Sequence, residues 1–208
     1  MTVFGKMPLL GILRGIREEE ISFVADVAKK EGLTSLEITM NTEGAPKLIS
    51  QMREASEGMF SVGAGTVLSL EDLNSALDAG ASFVVMPTLV RDVVEVCLEK
   101  AMPVFPGALT PQEIWDAAFA GATMVKVFPS NLFGASYFKD LRGPFDKVPL
   151  MACGGVNASS LAAFFDAGAN AASFGGSIFK REWLAGGNER ELSSALREII
   201  EAYRAWAC

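Results

Sequence analysis

Two ionisable side chains stand inside apolar runs: Lys126 in Met124-Val125-Lys126-Val127-Phe128-Pro129-Ser130-Asn131, and Glu37 in Leu36-Glu37-Ile38-Thr39. A lysine on such a strand either points outward to pair at a helix interface or points inward, where desolvation lowers its pKa from about 10.4 toward neutrality. Inward, the amine is neutral part of the time and can condense with a ketone to a Schiff base, whose protonated nitrogen withdraws electrons from the adjacent carbon. The chain has no histidine, so Glu37 is the natural proton carrier for that chemistry. The competing reading is a structural ion pair between the two.

Other candidates collect at the ends of short apolar runs. They are Arg14; Thr39 and Asn41; Gly63-Ala64-Gly65-Thr66; Pro87; Pro106-Gly107; Phe128; Cys153-Gly154-Gly155-Val156; and Phe174-Gly175-Gly176-Ser177-Ile178. A glycine-rich turn can close its backbone N–H groups on a phosphate, although a glycine pair on its own often does no more than permit a tight turn. Arg14 reads either as a charged clamp on the same anion or as a solvated loop residue. Three cysteines, Cys97, Cys153 and Cys208, are odd in number and fit no metal-ligand spacing. A disulfide scaffold, a zinc site and a Ser-His-Asp triad are therefore poor readings, and neither a metal nor a cofactor is expected.

The elements that must carry these residues repeat. Lys30-Glu31-Gly32-Leu33, Asp78-Ala79-Gly80-Ala81, Phe119-Ala120-Gly121-Ala122 and Asp166-Ala167-Gly168-Ala169 each end a helical pattern on glycine and lead into an apolar run. Intervals of 48, 41 and 47 residues separate the glycines, about two strand-plus-helix units each, and the intermediate units are visible at Glu57–Gly65, Lys100–Gly107 and Lys147–Gly155. Thr110-Pro111-Gln112-Glu113 is a capping-box start and Ser69-Leu70-Glu71-Asp72 a quieter one. Eight nearly continuous apolar runs alternating with helices read as parallel strands in one (β/α)8 TIM barrel over residues 1–208, with an open doubly wound sheet as the alternative. In a barrel the chemistry sits at the C-terminal strand ends. The second and sixth strands, carrying Glu37 and Lys126, feed one interior layer, and the turns after the seventh and eighth are a frequent phosphate site.

Half of the 208 residues are apolar, enough for one sizeable core, and the net charge is −7 with no block of like charges. A nucleic-acid or anionic membrane partner is not expected, so any anion must be caught locally. The N-terminal apolar stretch is too short for a secretory signal, and no run reaches spanning length, which reads as a soluble cytoplasmic protein.

Gly11-Ile12-Leu13-Arg14-Gly15, Leu36-Glu37-Ile38-Thr39, Val62-Gly63-Ala64-Gly65-Thr66-Val67, Lys126-Val127-Phe128-Pro129 and Gly154-Gly155-Val156, in this order, resemble the class I 2-keto-3-deoxy-6-phosphogluconate (KDPG) and 4-hydroxy-2-oxoglutarate aldolases. The resemblance implies a pyruvate-dependent aldolase, usually trimeric, in which Lys126 forms an imine and Glu37 moves protons through a bound water. It implies that Thr66 contacts the pyruvate carboxylate and that Arg14, Gly154, Gly155, Gly176 and Ser177 hold the distal phosphate. Pro87, Phe128 and Gly175 fall among the same strand ends. Asn41 matches the 6-phosphogalactonate branch of the family, where gluconate-type members commonly carry arginine. Cys153 matches neither branch and lies close to the C4 hydroxyl, which leaves the C4 configuration open. Two other readings use the same turns: a phosphate-binding barrel isomerase without an imine, and a non-catalytic sugar-phosphate-binding barrel.

Overall fold

The computed structural model describes residues 3–4 and 7–208; residues 1–2 and 5–6 of the expected 1–208 domain, part of the stretch read for a targeting signal, lie outside the described residues. Strands β1 (Leu9–Leu13), β2 (Ser35–Thr39), β3 (Ser61–Gly65), β4 (Val84–Val85), β5 (Val104–Phe105), β6 (Gly107–Ala108), β7 (Val125–Val127), β8 (Leu150–Cys153) and β9 (Ala171–Phe174) form one parallel sheet. Helices α1 (Ile21–Glu31), α2 (Ala45–Ser56), α3 (Leu70–Asp78), α4 (Arg91–Glu99), α5 (Pro111–Phe119), α6 (Gly134–Leu141) and α7 (Ala158–Asp166) alternate with them. The short α8 (Arg181–Ala185) and long α9 (Glu189–Ala207) follow β9.

The sheet runs β5-β4-β3-β2-β1-β9-β8-β7-β6. Its two ends, β5 and β6, are halves of one run: Val84 pairs with Val104 on one side, and Gly107 with Lys126 on the other. The Val104 carbonyl accepts the Thr123 N–H, and the Pro106 carbonyl the Lys126 N–H, both at 2.9 Å. The ring is thus closed and the open-sheet alternative is excluded. Nine strands stand where eight were expected because Pro106 has no N–H to give the ladder and divides the fifth barrel strand in two.

The helix signals hold. Thr110 caps α5 in a capping box with Glu113, Ser69 accepts the Asp72 N–H to cap α3, and Gly32, Gly80, Gly121 and Gly168 all have positive φ just beyond their helices. The core has two parts. Leu10, Phe83, Val85, Phe105, Met151 and Ala171 fill the barrel's floor, with Val3 and Phe4 against them, while a larger cluster lies between strands and helices. No helix of the described residues is long and apolar enough to cross a membrane.

Close approach dictates Gly107. A Cβ there would lie within 3.0 Å of the Thr88 nitrogen and closer still to the Pro87 carbonyl, all of it backbone that cannot rotate away. Gly107→Ala is expected to lower unfolding stability by roughly 1–3 kcal/mol, read from urea midpoints; an unchanged midpoint would contradict this account of the split strand.

Candidate active site

Alternation along the strands decides which way the two ionisable side chains point. Val125 and Val127 belong to the outer cluster between strands and helices, as do Leu36 and Ile38. The residue between each pair faces the opposite side, so Lys126 and Glu37 both point into the barrel. Lys126 is 7% exposed and Glu37 1%. The ion-pair reading fails: among the described residues no carboxylate oxygen lies within 4.0 Å of the Lys126 ammonium. Its Nζ lies instead over the Phe128 ring, 5.4 Å from the centroid.

Glu37 is the most desolvated charge-bearing group in the site. Its Oε2 is buried with no hydrogen-bond partner among the described residues. Burial raises the carboxyl's pKa above its ordinary 4.5, against the opposing pull of Lys126 and Arg14. The Gly63-Ala64-Gly65 motif makes room for this arrangement. Ala64 joins the outer cluster, which turns both glycines inward. A Cβ at Gly63 would lie 2.5 Å from the Phe83 ring of the floor, and one at Gly65 would overlap the Glu37 carboxyl, 2.7 Å from its Cδ. Thr66 follows with φ of 56°, a left-handed conformation that a β-branched residue adopts only at a cost of order 1–3 kcal/mol.

The half expected to take a phosphate is a cavity of about 680 Å³ over the ends of β8, β9 and β1. It gathers Arg14, Phe128, Cys153, Gly154, Gly155, Gly175, Gly176 and Ser177 of the expected residues. Glu37, Lys126, Thr66, Pro87 and Asn41 are not in its lining. Phe128 joins the two halves, since its ring meets both the Lys126 ammonium and the cavity. Gly154 and Gly155 have φ of 102° and 72°, and Cβ atoms there would crowd Asn131. The Ser177 hydroxyl donates to the Val156 carbonyl at 2.9 Å and ties the two glycine turns together. Arg14 lines the cavity, yet its Nη1 donates to Asn41 Oδ1 at 3.1 Å, so it reaches toward β2 as well. No group of three or more His, Cys, Asp or Glu among the described residues could hold a metal.

Sequence reasoning missed several residues that brace these strand ends. Ser130, 2% exposed, donates to the Val127 carbonyl at 2.7 Å and accepts the Cys153 N–H at 3.0 Å, pinning the end of β7 to the end of β8. A serine directly after a strand-ending Phe-Pro was the available signal. Thr42 Oγ1 takes the Gly15 N–H and pairs with Thr39 Oγ1, both at 3.0 Å, joining the loops after β1 and β2.

The family model described as KDPG and KHG aldolase matches residues 2–194. The chain belongs to the KDPG and KHG aldolase family. It is similar to the 2-dehydro-3-deoxy-6-phosphogalactonate aldolase of Escherichia coli (strain K12), 31% identical over 96% of each chain. The 2-dehydro-3-deoxy-phosphogluconate aldolase of Haemophilus influenzae is 33% identical over 88% of this chain and 86% of its own. A solved structure described as native KDPGal superposes with a TM-score of 0.90 at 30% identity, covering 97% of both chains. Family membership removes the isomerase and non-catalytic readings.

Because burial favours the neutral carboxyl, the stability that Glu37 contributes is fully present below about pH 4.5 and is lost as pH rises through its raised native pKa. Glu37→Gln is therefore expected to melt above the parent in mildly alkaline buffer, the gap closing as pH falls toward 4.5. Equal melting temperatures at alkaline pH would sink this reading of the orphaned carboxyl.

Proposed function

We propose that this chain is a class I aldolase that reversibly cleaves 2-keto-3-deoxy-6-phosphogalactonate to pyruvate and glyceraldehyde 3-phosphate. The observation that carries the proposal is Lys126 inside the barrel, without a salt-bridge partner among the described residues and facing a fully buried acid. In this reading the Lys126 amine attacks the C2 ketone, giving a carbinolamine that loses water to a protonated imine. Glu37, acting through a water, takes the C4 hydroxyl proton. The C3–C4 bond breaks, its electron pair moves into the imine to form an enamine, and the aldehyde leaves. Protonation at C3 and addition of water then release pyruvate and restore the amine.

A carboxyl whose pKa is raised toward the working pH suits a group that must both accept and return a proton. Thr66 with Asn41 is assigned to the substrate carboxylate end, and Pro87 is assigned to the wall beside it. Arg14 is assigned with Gly154, Gly155, Gly176 and Ser177 to the distal phosphate, and Cys153 with Phe128 sits between the two ends. The galactonate series is favoured by Asn41 and by the resemblance to the E. coli enzyme. The gluconate epimer and 4-hydroxy-2-oxoglutarate are the other substrates to assay.

Borohydride reduction in the presence of pyruvate is expected to add one reduced pyruvate to Lys126, mapped by peptide mass spectrometry, and Lys126→Ala to abolish both adduct and cleavage. An adduct on another residue overturns the mechanism. Assaying both C4 epimers then tests the series: a gluconate preference rejects the galactonate assignment.

The chain is further assigned to a cytoplasmic homotrimer. Three free thiols fit a reducing compartment. On the outer face of α4 and α5, Leu98, Trp115 and Phe119 are 48%, 53% and 79% exposed. Trp115 stacks between Phe119 and Phe145 with centroids at 6.3 and 6.5 Å, an apolar surface of the kind that subunit contacts cover. Phe119→Glu is expected to convert a trimer to smaller species in light scattering; a parent that elutes as a monomer refutes the assembly.

A further inference from the structure

One charged contact joins the loop after β1 to the loop after β9, and none of the roles above uses it. Arg181 opens α8 at the rim of the cavity. Its Nη1 donates to the Gly15 carbonyl at 2.9 Å, and its Nη2 pairs with Glu20 Oε1. Glu20 ends the 3-10 turn Glu18–Glu20 and is 4% exposed, and unlike Glu37 it is paired at that depth. Its Oε2 accepts the Arg17 N–H at 2.9 Å. Both carboxylate oxygens are thus committed, one to the loop's own backbone and one to an arginine from across the β1–β9 seam.

The consequence falls on Gly15, the neighbour of Arg14. Its N–H is taken by Thr42 Oγ1 and its carbonyl by Arg181, while its φ of 64° allows the chain to turn there. A pair serving only to stabilise the fold has no need to bond the peptide beside the cavity-lining Arg14.

We propose that Arg181 is a positioning residue for the phosphate-binding half of the site: through Glu20 and the Gly15 carbonyl it fixes the loop carrying Arg14 against the Gly175-Gly176-Ser177 turn. The inference rests on the aldolase reading above. A loop held in place before substrate arrives loses less freedom on binding, so the gain is confined to substrates that carry the phosphate. Imine formation with pyruvate, which has no phosphate, does not draw on it.

The test compares Arg181→Met, Arg181→Lys and Glu20→Gln on the phosphorylated keto acid, on its unphosphorylated analogue and in borohydride trapping of pyruvate. Arg181→Met is expected to raise KM for the phosphorylated substrate roughly 10- to 100-fold while the analogue's KM and the trapping rate stay near the parent's. Arg181→Lys should recover part of the loss, and Glu20→Gln should reproduce it. An unchanged KM in Arg181→Met overturns the proposal. So does an equal loss on both substrates with a lowered melting temperature, which marks a role in the fold alone. Impairment in Arg181→Met with a silent Glu20→Gln also overturns it, because Arg181 is then a direct anion ligand. Arg181 is half-exposed, so its removal decides the matter even where Glu20→Gln fails to fold. Absence of any adduct in the parent defeats the aldolase reading itself, whereas these outcomes leave it standing.

Discussion

A carboxyl without a partner, held at full depth in an apolar barrel beside an amine that does not reach it, is the constraint around which this structure is arranged. Moving Glu37 out of water favours its neutral form, and the positive charges of Lys126 and Arg14 only partly offset that cost. Were the two side chains in contact, the proton would pass to the amine and both would be spent as a buried ion pair. Separation keeps each available. It has to be enforced by the backbone, because nothing in the side chains themselves prevents their closing on one another.

The enforcement is steric and comes from positions without side chains. Gly63 and Gly65 face inward from the same strand: the first admits the Phe83 ring that closes the floor, and the second lets the Glu37 carboxyl lie across β3. Lys126 is aimed by β7, whose end is tied to β8 through the Ser130 hydroxyl, and its ammonium is met by the Phe128 ring rather than by an acid. Beside β7 the barrel closes through a strand broken at Pro106, with Gly107 admitting the Pro87 carbonyl. Barrel closure and acid placement are therefore solved by the same device, a missing Cβ at a point of close approach.

What the sequence disclosed and what it hid divide along the distance over which the deciding interaction acts. Strand runs, the Thr110 and Ser69 caps and the glycines beyond four helices were legible because each is settled within a few residues of chain. The inward aim of Lys126 and Glu37 was left open, since the pattern Val-Lys-Val reads alike whether its valines face helices or the interior. Only the membership of Val125 and Val127 in the outer cluster resolves it. The divided fifth strand was foreshadowed by Pro106 inside an apolar run, yet which neighbour each half would join depends on closure of the whole ring. Glu20 and Arg181 stand far apart in the chain, and no local rule couples residues that meet only across the β1–β9 seam.

The two halves of the site differ in how their order is obtained. At the imine end, direction is fixed by strand alternation and by glycine contacts inside the barrel, so the geometry follows from the ladder itself. At the end proposed for the phosphate the cavity is lined by loop backbone and an exposed arginine, which strands cannot orient. Order there has to be added by cross-links between loops: Ser177 to Val156, Thr42 to Gly15, and Arg14 to Asn41. A reaction whose bond-breaking step happens at the amine, and whose substrate is recognised partly by a distant anion, fits that division. In the proposed function chemistry is kept on the rigid element, while the binding of the anion is left to loops whose stiffness is set by a few polar contacts.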